Sequence, residues 1–261
     1  MTSNTLTRVA DGTRTVLSWR RFIGLCLVWC PTSVVTRALA GPRLPQAIMK
    51  RWCEGIVRDV GIDIVAEDLH KLAGPPSVIV VNHASALDIP VIGSLLGDLD
   101  YRWVAKKQLF SVPLVGWHLW ACGHIPVDRV RGGNLSRMQE RVEEVLGQGG
   151  SVVFFPEGTR SPDGALRDFR GGAFISAAQA GVPVLPVVLD GTSSLMVKGS
   201  LEFPRGTHKR VRVRVLDRID PFISGDAKAR AELLRHEARR RMVTALDELR
   251  GGPGRAEQAS R

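Results

Sequence analysis

Residues 77–88 have the sequence SVIVVNHASALD, in which a short apolar run leads directly into a polar segment. The apolar run is typical of a buried strand in a parallel sheet, where both faces of the strand are covered. Residues 151–161, SVVFFPEGTRS, repeat this arrangement, because the run Ser151–Phe155 is followed by a carboxylate, a glycine and a guanidinium. Loops that follow strands carry much of the chemistry of α/β proteins, so we expect each polar segment to lie in such a loop at a strand end.

The remainder of the chain alternates between short apolar runs and longer amphipathic stretches. This alternation predicts a three-layer α/β fold, in which a mixed and mostly parallel sheet is flanked by helices. Strands are predicted at residues 61–66, 77–81, 101–105, 123–127, 151–155, 182–189 and 209–216, and helices at residues 46–60, 89–96, 134–146, 172–180 and 226–249. We expect residues 61–250 to form this domain, residues 1–60 an N-terminal helical segment that associates with a membrane, and residues 251–261 a disordered tail.

Residues 22–35 form an apolar run that contains Pro31. A helix needs about 20 apolar residues to span a bilayer, and this run is shorter. Arg20, Arg21 and Arg37 flank the run, and arginine side chains can reach the phosphates of lipid head groups. The pattern predicts a bent segment, either embedded in the membrane or at its interface, that is broken at the proline. The alternative is a buried helix of the core.

The net charge of the 261 residues is +10 and the sequence pI is about 10.2, which favours an anionic partner. Nucleic acid is disfavoured as that partner, because Tyr101 is the only tyrosine and no run interleaves aromatic with basic residues. Residues 209–216 alternate valine with arginine, which predicts a half-exposed strand whose basic face is either solvated or in contact with anionic lipid. The four cysteines form no CxxC pair, so we expect free thiols and no metal site.

His83 and Asp88 are candidates for acid–base chemistry. A histidine can accept a proton near neutral pH, and a carboxylate on its other ring nitrogen holds it in one tautomer. Asp88 can provide that carboxylate if it lies in the first turn of a helix, which Ser85 is expected to cap. The segment offers no obvious nucleophile, so His83 would activate a hydroxyl of the substrate. The alternative is a capping aspartate beside a structural histidine.

The segment Glu157-Gly158-Thr159-Arg160 is a candidate anion site. Gly158 allows a close backbone approach or a positive φ angle, and Arg160 can bind a phosphate through two parallel hydrogen bonds. Glu157 could hold Arg160 or bind a substrate hydroxyl. The alternative is a surface turn with an ion pair between residues three apart.

Four segments of the chain, in this order, resemble the sequence blocks of the glycerolipid acyltransferases, and specifically of the bacterial 1-acylglycerol-3-phosphate acyltransferases with their H-x4-D motif. These segments are residues 82–88, 105–129, 155–161 and 182–187. The third block matches without substitution, whereas the second has Gln108 where the family often has glutamate. Four ordered blocks are far more specific than any one of them.

The resemblance implies transfer of a fatty acyl group from the thioester of acyl-CoA or acyl carrier protein to the 2-hydroxyl of lysophosphatidic acid, which gives phosphatidic acid. It implies His83 as the general base and Asp88 as the residue that orients it. The implied acceptor pocket consists of Glu157, Gly158, Thr159 and Arg160, with Lys106 and Arg129 as candidates for contact with the phosphate. The additional histidines His118 and His124 are interpreted as structural, and neither a metal nor a cofactor beyond the donor is implied.

The implied partners are a lyso-lipid acceptor, the acyl donor and an anionic membrane. We expect the protein at the cytoplasmic face of the cell membrane, as a peripheral or monotopic protein. Two alternatives remain open. One is acylation of another lyso-lipid, such as lyso-ornithine lipid, whose head group lacks a phosphate; the other is a catalytically inactive lipid-binding membrane protein.

Overall fold

A computed structural model describes residues 3–40, 43–97, 99–128, 135–196, 209–221 and 225–251. These residues contain seven α-helices: α1 Ser3–Ala40, α2 Arg43–Val60, α3 Asp88–Leu95, α4 Val115–Ala121, α5 Leu135–Gly147, α6 Gly172–Ala180 and α7 Ala227–Leu249. Seven strands form one sheet: β1 Asp63–Glu67, β2 Val78–Val81, β3 Tyr101–Lys106, β4 Ile125–Val127, β5 Ser151–Phe154, β6 Val184–Asp190 and β7 Arg210–Val215. Short 3₁₀ helices lie at Leu69–Leu72 and Lys107–Ser111. The predicted tail after Gly251 lies outside the described residues.

The sheet has the strand order β1-β7-β6-β2-β5-β3-β4. All neighbouring strands pair in parallel except β6 and β7, which are antiparallel. The carboxyl ends of β2, β3, β4, β5 and β6 therefore meet at one edge of the sheet. The two segments that follow β2 and β5 lie side by side at that edge, because these two strands are hydrogen-bonded neighbours. The predicted mixed and mostly parallel sheet is confirmed.

Helices cover both faces of the sheet and produce two apolar cores. Val78 and Val80 of β2 face one core, which contains residues of α5, α6 and α7. Ile79 and Val81 face the other core, which contains residues of α2 and α3. Because β2 is covered on both faces, its residues are apolar without alternation, as the sequence pattern predicted. The predicted three-layer architecture is also confirmed.

Two of the three arginines on the basic face of β7 pair with acidic side chains of neighbouring elements. Arg214 pairs with Glu67 of β1 and Glu248 of α7, at 2.6 Å in each case, and Arg210 lies 3.3 Å from Asp63. Arg212 donates instead to the carbonyl oxygen of Leu249. These partners compensate part of the charge of this face, and sequence spacing did not show which carboxylates pack beside it.

The N-terminal helix α1 is continuous through Pro31, so the predicted break at this residue was wrong. The hydroxyl groups of Thr32 and Ser33 donate to the carbonyl oxygens of Val28 and Cys30, at 2.6 Å each, so hydroxyls beside the proline supply hydrogen bonds to the helix carbonyls. Residues Arg20–Leu39 of α1 are long and apolar enough to cross a membrane by length and composition, and only 17% of this stretch is buried. The apolar run identified in the sequence ended at residue 35, so the predicted segment was shorter than the 20 residues that the helix offers.

Candidate active site

Asn82 attaches the end of β2 to β6. Its side-chain Nδ2 donates to the carbonyl oxygen of Leu189 and its Oδ1 accepts from the amide of the same residue, at 2.8 Å in both cases. The buried amide thus continues the β2–β6 ladder by one further step after the last backbone pair. This contact fixes the position of the next residue, His83, at the edge of the sheet.

The side chains of His83 and Asp88 are in direct contact. The Nδ1 atom of His83 lies 2.7 Å from Oδ2 of Asp88, whose side chain is fully buried in the first turn of α3. The same carboxylate oxygen accepts hydrogen bonds from the backbone amides of Ala84 and Ser85, at 2.7 and 2.8 Å. Among the described residues no partner contacts Nε2 of His83, so this nitrogen is the one available to a substrate.

Ser85 does not cap α3, although the sequence suggested this role. Its hydroxyl donates to the carbonyl oxygen of Met196 at 3.1 Å, and the N-cap position belongs to Leu87, which makes no side-chain cap bond. The carboxylate of Asp88 points back toward the preceding residues and accepts the hydrogen bonds of the loop amides at Ala84 and Ser85. Ser85 instead attaches this loop to the segment that follows β6.

The imidazole of His83 stacks on Phe155, the residue that follows β5. Their ring centroids are 4.1 Å apart with an interplanar angle of 22°, and Phe155 stacks in turn on Trp103 of β3 at 5.5 Å. The row of aromatic rings covers one face of the histidine. The side chain of His83 is 12% exposed, so water and a substrate reach it only in part. This packing limits rotation of the ring and preserves its contact with Asp88.

Glu157 does not form an ion pair with Arg160; it joins the two polar segments. Its Oε1 accepts from the backbone amide of His83 at 2.7 Å, and its Oε2 accepts from the amide of Arg167 at 3.0 Å. Burial raises the pKa of the Glu157 carboxyl, while the two amide hydrogen bonds act in the opposite direction. The segment does turn, since the amide of Gly158 donates to the carbonyl oxygen of Phe155 at 3.1 Å, but it is not a surface turn with an ion pair, because Glu157 is 4% exposed and points inward.

The loop from Gly158 to Ser161 runs beside the histidine. The backbone amide of Ser161 donates to the carbonyl oxygen of His83 at 2.8 Å. Gly158 has a φ angle of +70°, a conformation that favours glycine. Thr159 and Arg160 are partly exposed, and within the described ranges no carboxylate forms an ion pair with Arg160. An uncompensated guanidinium therefore lies one residue from a contact with His83.

Comparison with known proteins assigns the chain to a family. The family described as Acyltransferase matches residues 62–190. The chain is 33% identical to the human 1-acyl-sn-glycerol-3-phosphate acyltransferase alpha over 202 residues, which cover 74% of this chain and 68% of that protein. The chain belongs to the acyltransferase family.

Two further relatives of this acyltransferase-family chain come from a plant and a bacterium. The chain is 38% identical to the chloroplastic 1-acyl-sn-glycerol-3-phosphate acyltransferase LPAT1 of Arabidopsis thaliana over 172 residues. These residues cover 66% of this chain and 45% of the plant protein. The chain thus spans less than half of the length of this relative. The crystal structure of the 1-acyl-sn-glycerophosphate (LPA) acyltransferase PlsC from Thermotoga maritima superimposes with a TM-score of 0.75 at 25% identity, over 94% of this chain and 98% of that one.

Lys106 and Arg129 are the remaining predicted phosphate contacts of this acyltransferase-family chain. Lys106 ends β3 and is exposed at the carboxyl edge of the sheet, one strand beyond β5. Its placement leaves its amino group free to reach a ligand at that edge. Arg129 lies outside the described residues, and β4, which leads toward it, ends at Val127 at the same edge.

The other histidines of the second block lie inside the protein. Burial lowers the pKa of His118 to about 4, and it also lowers the pKa of His124, whose Nδ1 accepts from the amide of Trp103 at 3.2 Å. Both are therefore neutral at neutral pH. Among the described residues, no group of three or more His, Cys, Asp or Glu side chains could hold a metal ion, and all four cysteines are free and buried.

Sequence reasoning did not single out Arg170, whose side chain reaches Gly158. A methyl group added at Gly158 would lie 2.4 Å from Nε of Arg170. In the sequence, Arg170 is one of several basic residues after the third block, and nothing in the local pattern distinguishes it from the others. The contact depends on how residues 161–171 fold back, which local pattern does not show.

Proposed function

We propose that the protein transfers a fatty acyl group from acyl-CoA or acyl carrier protein to the 2-hydroxyl of lysophosphatidic acid, and that it is a bacterial member of its family in which His83 and Asp88 form the H-x4-D motif. The observation that carries the proposal is the contact between Nδ1 of His83 and Asp88, which leaves Nε2 without a partner among the described residues. The loop that contains Arg160 is joined to the backbone of His83 through the amide of Ser161. The relatives named above support the choice of acceptor, since each is named for acylation of 1-acylglycerol phosphate.

The geometry supports a general-base mechanism. Nε2 of His83 removes the proton of the acceptor hydroxyl while its oxygen attacks the thioester carbonyl, and Asp88 stabilises the imidazolium that forms. The tetrahedral intermediate then collapses, the carbon–sulfur bond breaks, and the imidazolium returns the proton to the leaving thiolate. The new ester contains the acceptor oxygen and the thiol is released. No metal and no cofactor beyond the acyl donor is part of this proposal.

In this proposal the acceptor phosphate binds at the loop after β5. Arg160 supplies a planar guanidinium suited to phosphate, and Lys106 and Arg129 are the other cations expected to contact it. Gly158 and Thr159 are proposed as the residues of this loop that precede the guanidinium and complete the acceptor pocket. Glu157 was predicted to contact the substrate, but because both of its oxygens accept backbone amides we propose that it positions His83 and the loop.

The test is an acyl-transfer assay of the purified full-length protein with lysophosphatidic acid, lyso-ornithine lipid and monoacylglycerol, each with acyl-CoA and acyl carrier protein as donors. We expect transfer to lysophosphatidic acid. Replacing Arg160 by alanine should raise the KM for this acceptor about 10- to 150-fold, because a hydrogen bond to a charged group contributes about 1.5–3 kcal/mol. The KM for the donor should change far less.

The same assay separates the alternatives. Preferred transfer to the phosphate-free lyso-ornithine lipid, with a KM that is insensitive to Arg160→Ala, would support the alternative acceptor. Absence of transfer from either donor to any acceptor, together with retained binding of lipid, would support an inactive lipid-binding protein. Arg58→Ala, an exposed arginine at the end of α2, is the control for removal of one positive charge.

We further propose that the protein is monotopic at the cytoplasmic face of an anionic membrane, held by α1. One side of α1 is exposed and apolar, with Ile23, Leu27, Val28, Val34, Val35 and Leu39. Cys26, Cys30 and Ser33 on the other side are buried. Pro31, Val34 and Val35 line an open groove of about 580 Å³ together with Trp117 and Trp120 of α4.

This groove argues against a helix that leaves the domain and crosses the bilayer. A bilayer that covers the end of α1 must also meet α4, whose two tryptophans are 54% and 58% exposed. Tryptophan is enriched at the membrane–water interface, and Arg37 beside the groove suits anionic head groups. A helix lying along the surface would place the site where the lipid acceptor and the water-soluble donor are both accessible.

Replacing Leu27 and Val28 by glutamine in the full-length protein should weaken binding to vesicles of phosphatidylglycerol and phosphatidylcholine at least about tenfold. Burying each such side chain contributes about 1.5–3 kcal/mol, so the loss of two is readily measured. Flotation in low and high salt is the measurement, and Leu233→Gln on the exposed side of α7 is the matched control. Unchanged flotation of the double variant in high salt would exclude this face of α1 as the anchor.

A further inference from the structure

The side chain of Arg170 lies across the acceptor loop at Gly158. A methyl group added to Gly158 would lie 2.4 Å from Nε, 2.8 Å from Cδ and 3.0 Å from Cζ of Arg170. A Cβ atom at residue 158 would therefore require the Arg170 side chain to move, and the φ angle of +70° disfavours any residue other than glycine there. The guanidinium is therefore held against the same loop that carries Arg160, two residues after Gly158.

The backbone of Arg170 is fixed on both sides. Its amide donates to the carbonyl oxygen of Pro156 at 2.8 Å. The preceding Phe169 is buried, stacks on Phe174 of α6 at 5.9 Å and has its carbonyl oxygen bound by Arg235 of α7 at 3.2 Å. The fold thus sets the backbone position of Arg170, from which its exposed side chain extends beside Gly158.

The carboxylates nearest along the chain are engaged elsewhere. Asp163 accepts from the hydroxyl of Ser161 at 2.6 Å, and Asp168 pairs with Arg239 at 3.5 Å. Both oxygens of Glu157 accept backbone amides. Over the described part of the chain no ion pair involves Arg170. The first turn of α6, which begins two residues later, contains no acidic side chain and has no side-chain cap.

We propose that Arg170 binds the phosphate of the acceptor together with Arg160 and thereby determines specificity for a phosphorylated lyso-lipid. A phosphate accepts several charge-assisted hydrogen bonds at once, and two guanidinium groups on one loop match that capacity. This inference rests on the proposed function and extends it to a residue outside the four sequence blocks.

The test compares Arg170→Gln and Arg170→Lys with the unaltered full-length protein in detergent micelles. We expect Arg170→Gln to raise the KM for lysophosphatidic acid about tenfold or more, with kcat and the KM for acyl-CoA changed less than about threefold. Arg170→Lys keeps the charge and should recover part of the loss. Calorimetric titration with glycerol 3-phosphate, which needs no turnover, should show a parallel loss of affinity in Arg170→Gln.

Arg58→Gln on α2 is the control for net charge and should leave both constants unchanged. An unchanged KM for lysophosphatidic acid in Arg170→Gln, with unchanged binding of glycerol 3-phosphate, would overturn the inference. A rise in the KM for acyl-CoA alone would overturn it too, since the phosphate would then belong to the donor. If the unaltered protein transfers no acyl group to lysophosphatidic acid, the proposed function fails, and the glycerol 3-phosphate titration alone decides the role of Arg170.

Discussion

Replacing His83 by alanine is expected to lower the rate of acyl transfer by about 10²- to 10⁴-fold, the usual loss when a general base is removed. The reason is that no other described histidine combines a position at the carboxyl edge of the sheet with a buried carboxylate on Nδ1. His118 and His124 lie in the core and His236 is exposed on α7. The measurement is kcat with lysophosphatidic acid and acyl-CoA at saturating concentrations.

The variant should remain folded, because the ring of His83 contributes mainly its stacking contact with Phe155, and its backbone amide still donates to Glu157. Thermal unfolding followed by circular dichroism checks this point. His236→Ala is the matched control and should leave kcat unchanged. Turnover of folded His83→Ala within threefold of the unaltered protein would rule out His83 as the base.

Asp88→Asn is expected to lower kcat by a similar factor of about 10²–10⁴, since an amide can donate to Nδ1 and thereby favour the wrong tautomer of His83. It also removes a negative charge that accepts hydrogen bonds from Ala84, Ser85 and the imidazole. Asparagine keeps one oxygen for the backbone amides, so the loop retains part of its support. The pair of measurements is kcat and the midpoint of thermal unfolding.

A merely structural Asp88 would lower the unfolding temperature without a change in kcat per folded molecule. That outcome would contradict the assignment of Asp88 as the residue that orients the base. Asp59→Asn, an exposed aspartate near the end of α2, is the control for removal of one carboxylate. Both properties should be unaltered in that control.

The elements of the central sheet were predictable because their local pattern is strong. The strand β2 is apolar at every position, a pattern that is required when both faces of a strand are covered. It begins one residue after the predicted start and ends at the predicted residue, Val81. The half-exposed β7 alternates valine and arginine, and its buried and exposed residues alternate accordingly. The strand order was not predictable, since it depends on crossover connections between segments distant in sequence.

Side-chain partners were less predictable than elements. Glu157 and Arg160 are three residues apart, so local spacing suggested an ion pair between them. In the folded chain the glutamate turns inward to the amides of His83 and Arg167, which are 74 and 10 residues away along the chain. Burial and paired backbone donors compete with a surface ion pair, and a surface pair contributes at most about 1 kcal/mol.

The sequence by itself determined the α/β class, the two polar segments at strand ends and the residue types available there, because buried strands and turns constrain their residues locally. Only the tertiary structure decided which of these residues meet. Parallel pairing of β2 with β5 brings His83 beside the loop of Arg160, and the return of residues 161–171 places Arg170 on Gly158. Contacts between segments distant along the chain are set by the packing of the whole domain, which no local pattern of residues encodes.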